Sequence, residues 1–126
     1  MWTYEQVTGV VFAADGTRLP AGYAGNGLGK NNPAMQQVKN VGPLPCGFYT
    51  IGPLVDDPVT GEDSMHLIPD PTDDEYDRND FLIHGDGIKD PGHASDGCMV
   101  QSRPNRIRIG TSEDTRLQVV SGLATS

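Results

Sequence analysis

The chain has 126 residues, 36% hydrophobic and 6% aromatic, with 16 glycines and 10 prolines. Its length suits one domain over residues 1–126, and Gly and Pro scattered between Val, Ile and Leu exclude a helical bundle or a collagen-like repeat. The formal net charge of −8 excludes nucleic acid as the main partner, because phosphate binding needs a cationic surface.

Met1-Trp2-Thr3-Tyr4-Glu5-Gln6 lacks the charged start and apolar stretch of a signal peptide. No apolar run approaches the roughly 18 residues that span a bilayer. The expectation is synthesis in the cytoplasm without a signal peptide, export by another route, and no membrane insertion. Val10 to Tyr23 reads as a hairpin, with Val10, Val11 and Phe12 before Asp15-Gly16 and Leu19 and Tyr23 after it. Asp-Gly readily takes the positive φ angles of a tight turn. Asn26 to Asn32 is a Gly- and Asn-rich loop. Pro33 to Asn40 allows one or two helical turns opened by Pro33. Val41-Gly42-Pro43-Leu44-Pro45 is a rigid extended or turn segment. Phe48 to Ile51 and Met65 to Ile68 read as strands, joined by a loop holding Asp57-Pro58 and Thr60-Gly61. Phe81-Leu82-Ile83-His84 is a short, apolar, buried strand. Ser102 is placed to cap a helix running to about Gly110 with Pro104 in its first turn. Leu117 to Val120 is a last strand. The sum is a mainly-β domain of about seven short strands and one or two short helices.

Charge is unevenly placed. Asp56 to Asp80 holds ten acids and one base, Arg78. Such a run reads as a solvated region that favours solubility. Met99 to Gly110 carries Arg103, Arg106 and Arg108 and no acid. Two cysteines, Cys46 and Cys98, permit at most one disulfide, too few for a stapled scaffold.

The segment richest in chemistry is Ile83-His84-Gly85 followed by Ala94-Ser95-Asp96-Gly97-Cys98-Met99-Val100. A thiol near neutral pH is mostly protonated and needs a base or cation to become a nucleophilic thiolate. Imidazole can take that proton and return it to a leaving amine. Gly97 lets the backbone turn sharply before Cys98. On their own, one Cys and one His carry little, since a buried Cys is most often a small hydrophobe.

At these residues the chain resembles the bacterial L,D-transpeptidase catalytic domain. That family carries a His, a gap, then Ser/Thr-x-Gly-Cys and an apolar residue, here His84 and Ser95-Asp96-Gly97-Cys98-Met99. It is similar in particular to a small branch of interbacterial toxins delivered by type VI secretion. The matching pieces are Trp2, Tyr4 and Gly9; Gly22-Tyr23-Ala24-Gly25; Asn31-Asn32-Pro33; Asn40-Val41-Gly42-Pro43-Leu44-Pro45-Cys46-Gly47-Phe48-Tyr49; and Phe81-Leu82-Ile83-His84-Gly85. Any one piece is weak; the set spans nearly the whole chain.

The resemblance implies an L,D-transpeptidase-like β-sandwich or open barrel and an enzyme acting on peptidoglycan stem peptides. Cys98 would attack the carbonyl of the third stem residue and expel terminal D-Ala. Water would then give L,D-carboxypeptidase activity, a D-amino acid exchange, and a second stem a crosslink. No cofactor and no metal are implied. Action in the periplasm of a target bacterium, type VI secretion components as partners and a cognate immunity protein follow from the same resemblance.

In this frame His84 is general base and then acid. The Gly97 and Cys98 N–H groups are expected to face the oxyanion. Ser95 is placed to hold the turn or to orient His84. Arg103 or Arg106 is expected to meet a stem-peptide carboxylate, with a solvated helix face as the bland reading of Arg106 and Arg108. Tyr23 lines the cleft or packs in the core. Asp96 stands where many L,D-transpeptidases have His and is grouped with the substrate-binding residues. Val100-Gln101 stands where many have an Arg two residues after the Cys. The group orienting His84 is open between Asp86, Asp90, His93 and a backbone carbonyl.

Three rival readings stand beside this one. A zinc site from His84, His93, Cys98 and Cys46 matches no common finger or ribbon spacing. A Cys46–Cys98 disulfide would give a catalytically silent wall- or protein-binding module. A papain-like peptidase of the NlpC type carries its Cys before its His, the reverse of the order here.

Overall fold

Short runs of alternating apolar and polar residues build a mainly-β structure. A computed structural model of the chain describes residues 1–74, 76, 78, 80–87, 92, 95 and 97–122. The strands there are β1 (Trp2–Glu5), β2 (Val10–Phe12), β3 (Tyr23–Ala24), β4 (Gly47–Ile51), β5 (Val55–Asp57), β6 (Gly61–Pro69), β7 (Leu82–His84), β8 (Met99–Val100) and β9 (Arg116–Val120). One α-helix, α1 (Arg103–Gly110), lies among the described residues. No helix among them is long and apolar enough to cross a membrane.

The strands follow the order β2-β1-β9-β4-β6-β7-β8-β3, with β5 paired to β6. The β1–β9 and β7–β8 pairs are parallel and the others antiparallel. Side chains of alternate residues face one side of a strand. Tyr49 and Ile51 of β4 and Leu117 and Val119 of β9 therefore point inward together, against Trp2, Tyr4, Met65, Ile83 and Met99.

The sheet curls into a nearly closed barrel. Arg18 to Gly22 runs along the outer edge of β2, where Leu19 N–H donates to the Val11 carbonyl (2.9 Å) and Gly22 N–H to the Gly9 carbonyl (2.8 Å). The chain then passes directly into β3, the opposite end of the strand order. Gly9 has φ +72°, and a Cβ there would overlap the Gly22 carbonyl. Only glycine allows that approach.

The expected hairpin from Val10 to Tyr23 is half present. Phe12 and Arg18 bridge across the Asp15-Gly16 turn. Tyr23 leaves it to pair with Val100, and the main partner of β2 is β1. The expected loop between Ile51 and Met65 is instead the β5–β6 hairpin, with β6 extending back to Gly61. Its turn is held by the Asp57 carboxylate, which accepts from Val59 N–H (2.8 Å) and Thr60 N–H (2.9 Å). Where one or two helical turns were expected from Pro33 to Asn40, the regular helical structure is one 3-10 turn at Pro33–Met35, capped by the Asn32 side chain.

Ser102 caps α1 by accepting from Asn105 N–H at 3.3 Å. The helix buries Asn105, Arg106 and Ile109. Its docking is thus largely polar. Asn105 donates to the Pro20 carbonyl and the Gln101 side chain, both at 2.8 Å.

Candidate active site

The parallel β7–β8 pair sets Ile83 beside Met99 and His84 beside Val100. His84 ends one strand and Cys98 directly precedes the other. Both line a cavity of about 260 Å³, together with Val59, Thr60, Asp86 and Gly87. Cys98 also lines an adjoining cavity of about 540 Å³, which holds Lys39, Asp57, His66, Arg78 and Asp80. The two spaces share Cys98, Val59 and Thr60. The tip of the β5–β6 hairpin thus forms a lip over the thiol, with Val59 90% exposed.

Cys98 is partly exposed, and its Sγ donates to the Asp80 carbonyl at 3.4 Å. Its turn is organised by Ser95, which is 1% exposed. Ser95 Oγ donates to the Cys98 carbonyl (2.6 Å) and accepts from Gly97 N–H (3.0 Å) and Gly25 N–H (2.9 Å). The Ser95 carbonyl accepts from Asn26 Nδ2 at 3.1 Å. Of its two expected roles, Ser95 is placed for holding the turn. The Gly97 N–H is committed to Ser95, so it does not face outward as an oxyanion donor. Gly97 serves the turn through its backbone, at φ +123°.

His84 is buried. Its Nδ1 lies 2.8 Å from the Gly85 carbonyl. A carbonyl only accepts, so Nδ1 carries the proton and Nε2 keeps its lone pair. Among the described candidates for the orienting group, Asp86 and a backbone carbonyl, the carbonyl is the one in contact. Burial pushes the imidazole below its ordinary value, the Gly85 carbonyl opposes this, and the Arg106 charge adds to it. The ring is therefore held neutral near neutral pH.

Asp86 lines the His84 cavity but anchors its own loop. Its carboxylate accepts from Tyr23 OH (2.7 Å), Gly87 N–H (2.8 Å) and Gly92 N–H (3.0 Å). Burial alone would raise this carboxyl; the hydrogen bonds and the Lys30 charge bring it below the usual range. Tyr23 is buried in β3, with Lys30 Nζ 4.2 Å from its ring centre. It lies outside both cavities that Cys98 lines.

The arginines expected to read substrate stand elsewhere. Arg106 is buried. Its guanidinium donates to the carbonyls of Gln101 (3.1 Å), Glu62 (2.7 Å) and Asp63 (3.1 Å), joining α1 to β6. This overturns the solvated-face reading of Arg106. Arg103 is exposed and pairs with Asp63 at 3.0 Å. Neither lines a cavity with Cys98. Asp96, Asp90 and His93 lie outside the described residues.

Sequence reasoning missed Arg78, which is 3% exposed. It donates to the carbonyls of Gln36, Pro43 (2.8 Å) and Gly42 (3.0 Å) and lies over the Phe81 ring. The only hint was a single base in an acidic run. The Val59–Thr60 lip was equally hidden, although Asp57-Pro58 and Thr60-Gly61 marked its turn.

The two thiols stand apart. Cys46 is free, and its Sγ donates to Gln6 Oε1 at 3.4 Å. Burial pushes that thiol up. The disulfide of the binding-module reading is therefore not formed. No group of three or more His, Cys, Asp or Glu suited to a metal ion occurs among the described residues.

One family model matches the chain, the Tlde1 domain, over residues 19–123. The matched stretch takes in β3 to β9 and both cavities. No curated protein and no solved structure matches the chain.

Proposed function

The chain belongs to the Tlde1 domain family, the L,D-transpeptidase effectors of type VI secretion that target peptidoglycan, and on that premise we propose that it is a cysteine enzyme cleaving stem tetrapeptides. One observation carries the reading: His84, at the end of β7, and Cys98, just before the parallel strand β8, line one cavity.

In the proposed reaction His84 Nε2 takes the Cys98 proton as sulfur adds to the carbonyl of the third stem residue. The tetrahedral intermediate collapses with cleavage of the C–N bond to D-Ala. His84 returns its proton to the departing amine. A thioester joins Cys98 to the shortened stem. Water, deprotonated by His84, then forms the new C–O bond and releases a tripeptide and the thiol. A D-amino acid amine in place of water gives exchange. The Gly85 carbonyl holds the tautomer this needs. Ser95 holds the turn that presents the sulfur.

Two spaces meeting at Cys98 suit a stem peptide lying across the thiol. In this reading the type VI context carries the chain to the periplasm of a target cell, and a cognate immunity protein covers the cleft in the producer.

The test is incubation with purified tetrapeptide muropeptides, with and without added D-amino acids, followed by mass analysis. Tripeptide or exchanged product from the native chain, and neither from Cys98→Ala, is expected. Unchanged muropeptides from well-folded native protein would sink the proposal.

A further inference from the structure

We propose that Arg78 is a positioning residue of the nucleophile: pinned under Gly97 by backbone carbonyls, its guanidinium fixes the turn that presents Cys98 and sets a positive charge beside the thiolate. The inference rests on the reading of Cys98 as nucleophile.

The first support is steric. A Cβ on Gly97 would overlap Arg78 Nη2. The guanidinium therefore lies directly against the backbone of the residue before Cys98. The absent side chain at Gly97 is what admits it. The second support is the way the cation is held. Nη1 donates to the Gln36 and Pro43 carbonyls and Nη2 to the Gly42 carbonyl. These neutral acceptors fix the planar group without cancelling its charge. No carboxylate pairs with it among the described residues. The third is location, since Arg78 and Cys98 face the same cavity.

A buried cation needs a countercharge. Burial pushes the guanidinium down from its ordinary value, and the Tyr49 and Cys98 charges act the other way. Tyr49 hydrogen bonds to the Pro45 carbonyl at 2.6 Å. The thiolate is the anion that the proposed chemistry itself creates. Cationic surroundings are what lower a reactive thiol's pKa. Other groups around the sulfur mix signs. Lys39, His66 and His84 face it with Asp57, Asp80 and Asp86. Arg78 differs from the bases among them in being both permanently charged and locked in place.

The experiment follows the rate of Cys98 alkylation by iodoacetamide against pH, in a Cys46→Ser background so that one thiol reports. Arg78→Met is expected to raise the midpoint by about one pH unit, a tenfold lower thiolate fraction below it. Arg78→Lys, which keeps the charge, is expected to move it by less than about half of that. An unmoved midpoint in folded Arg78→Met overturns the proposal. Should that variant fail to fold, the native chain still decides. Its Arg78 side-chain N–H resonances are expected to shift as pH passes the Cys98 midpoint, and to stay still in Cys98→Ser. Resonances unmoved in the native chain overturn the proposal. Alkylation needs no wall substrate. A shifted midpoint without muropeptide conversion would sink the proposed function and leave Arg78 standing, and conversion with an unmoved midpoint would do the reverse.

Discussion

The Ser95 hydroxyl donates to the Cys98 carbonyl across 2.6 Å while accepting from the Gly97 N–H. One buried oxygen thus closes the turn around the thiol from both sides, and a third bond ties it to Gly25 of the loop after β3. Ser95→Ala would leave those backbone groups without a partner. A loss of about 2 kcal/mol in unfolding free energy is expected, in line with removal of a buried hydrogen-bonding group. Muropeptide conversion should fall at least tenfold at temperatures where the variant is folded. Urea denaturation and product analysis check the two effects, and a variant as stable and active as the native chain would contradict them.

His84 makes a pH prediction with a definite sign. Its folded pKa is lowered by burial from the ordinary value of 6.5. Below 6.5 the unfolded chain binds a proton that the folded chain resists. Stability is then complete above that pH and declines as pH falls toward the folded value. The shifted carboxyls Asp15, Asp57, Asp70, Asp86 and Asp114 are pushed below 3.8 and act at more acid pH. The melting temperature should therefore drop as pH falls below 6.5 in the native chain. The drop should be smaller in His84→Gln. The acid limb of the muropeptide rate should likewise fall below 6.5.

Arg103 and Arg106 sit three residues apart and are expected to behave oppositely. Arg106→Ala leaves the buried Gln101 carbonyl and the part-buried Glu62 and Asp63 carbonyls without their donor and should cost about 2 kcal/mol. Arg103 is 68% exposed on the side-chain scale and pairs with one carboxylate. Arg103→Ala should change stability by less than about 0.5 kcal/mol. Its KM for tetrapeptide should stay within a factor of about 2, because it shares no cavity with Cys98 and exposed pairs contribute little. A large rise in KM would restore Arg103 as a substrate residue.

Tyr4 is fully buried, and its hydroxyl has no hydrogen-bond partner among the described residues. Burial pushes the phenol well above its ordinary value. A buried hydroxyl without a partner costs free energy that the ring alone does not. Tyr4→Phe should therefore be neutral or stabilise by up to about 1 kcal/mol. Thermal unfolding checks it; a clear loss of stability would reveal a partner for the hydroxyl.

Legibility in the sequence followed how local each signal was. Ser102 with Pro104 marked the start of α1, and the apolar run Phe81–His84 marked β7, since cap and strand patterns lie within a few neighbours. The strands β3 and β8 span two residues each. Pairing, not local pattern, defines them, so the hairpin reading of Val10 to Tyr23 does not show Tyr23 pairing with Val100. The helix buries Asn105 and Arg106 rather than an apolar stripe. Periodicity therefore could not reveal which face was inside. His84 and Cys98 were visible as a motif. Arg78 was not, because its meaning depends on carbonyls about 35 to 42 positions away.

The contact between Gly9 and Gly22 also bears on how this chain avoids other chains. An unpaired strand edge is a template for a foreign strand. Here the outer edge of β2 is covered by Arg18–Gly22, which bends straight into β3, so the curled sheet hides the ends of its own strand order. That seam depends on two glycines packed backbone to backbone. A side chain at Gly9 would force it apart and bare an apolar edge made of Val10, Val11 and Phe12.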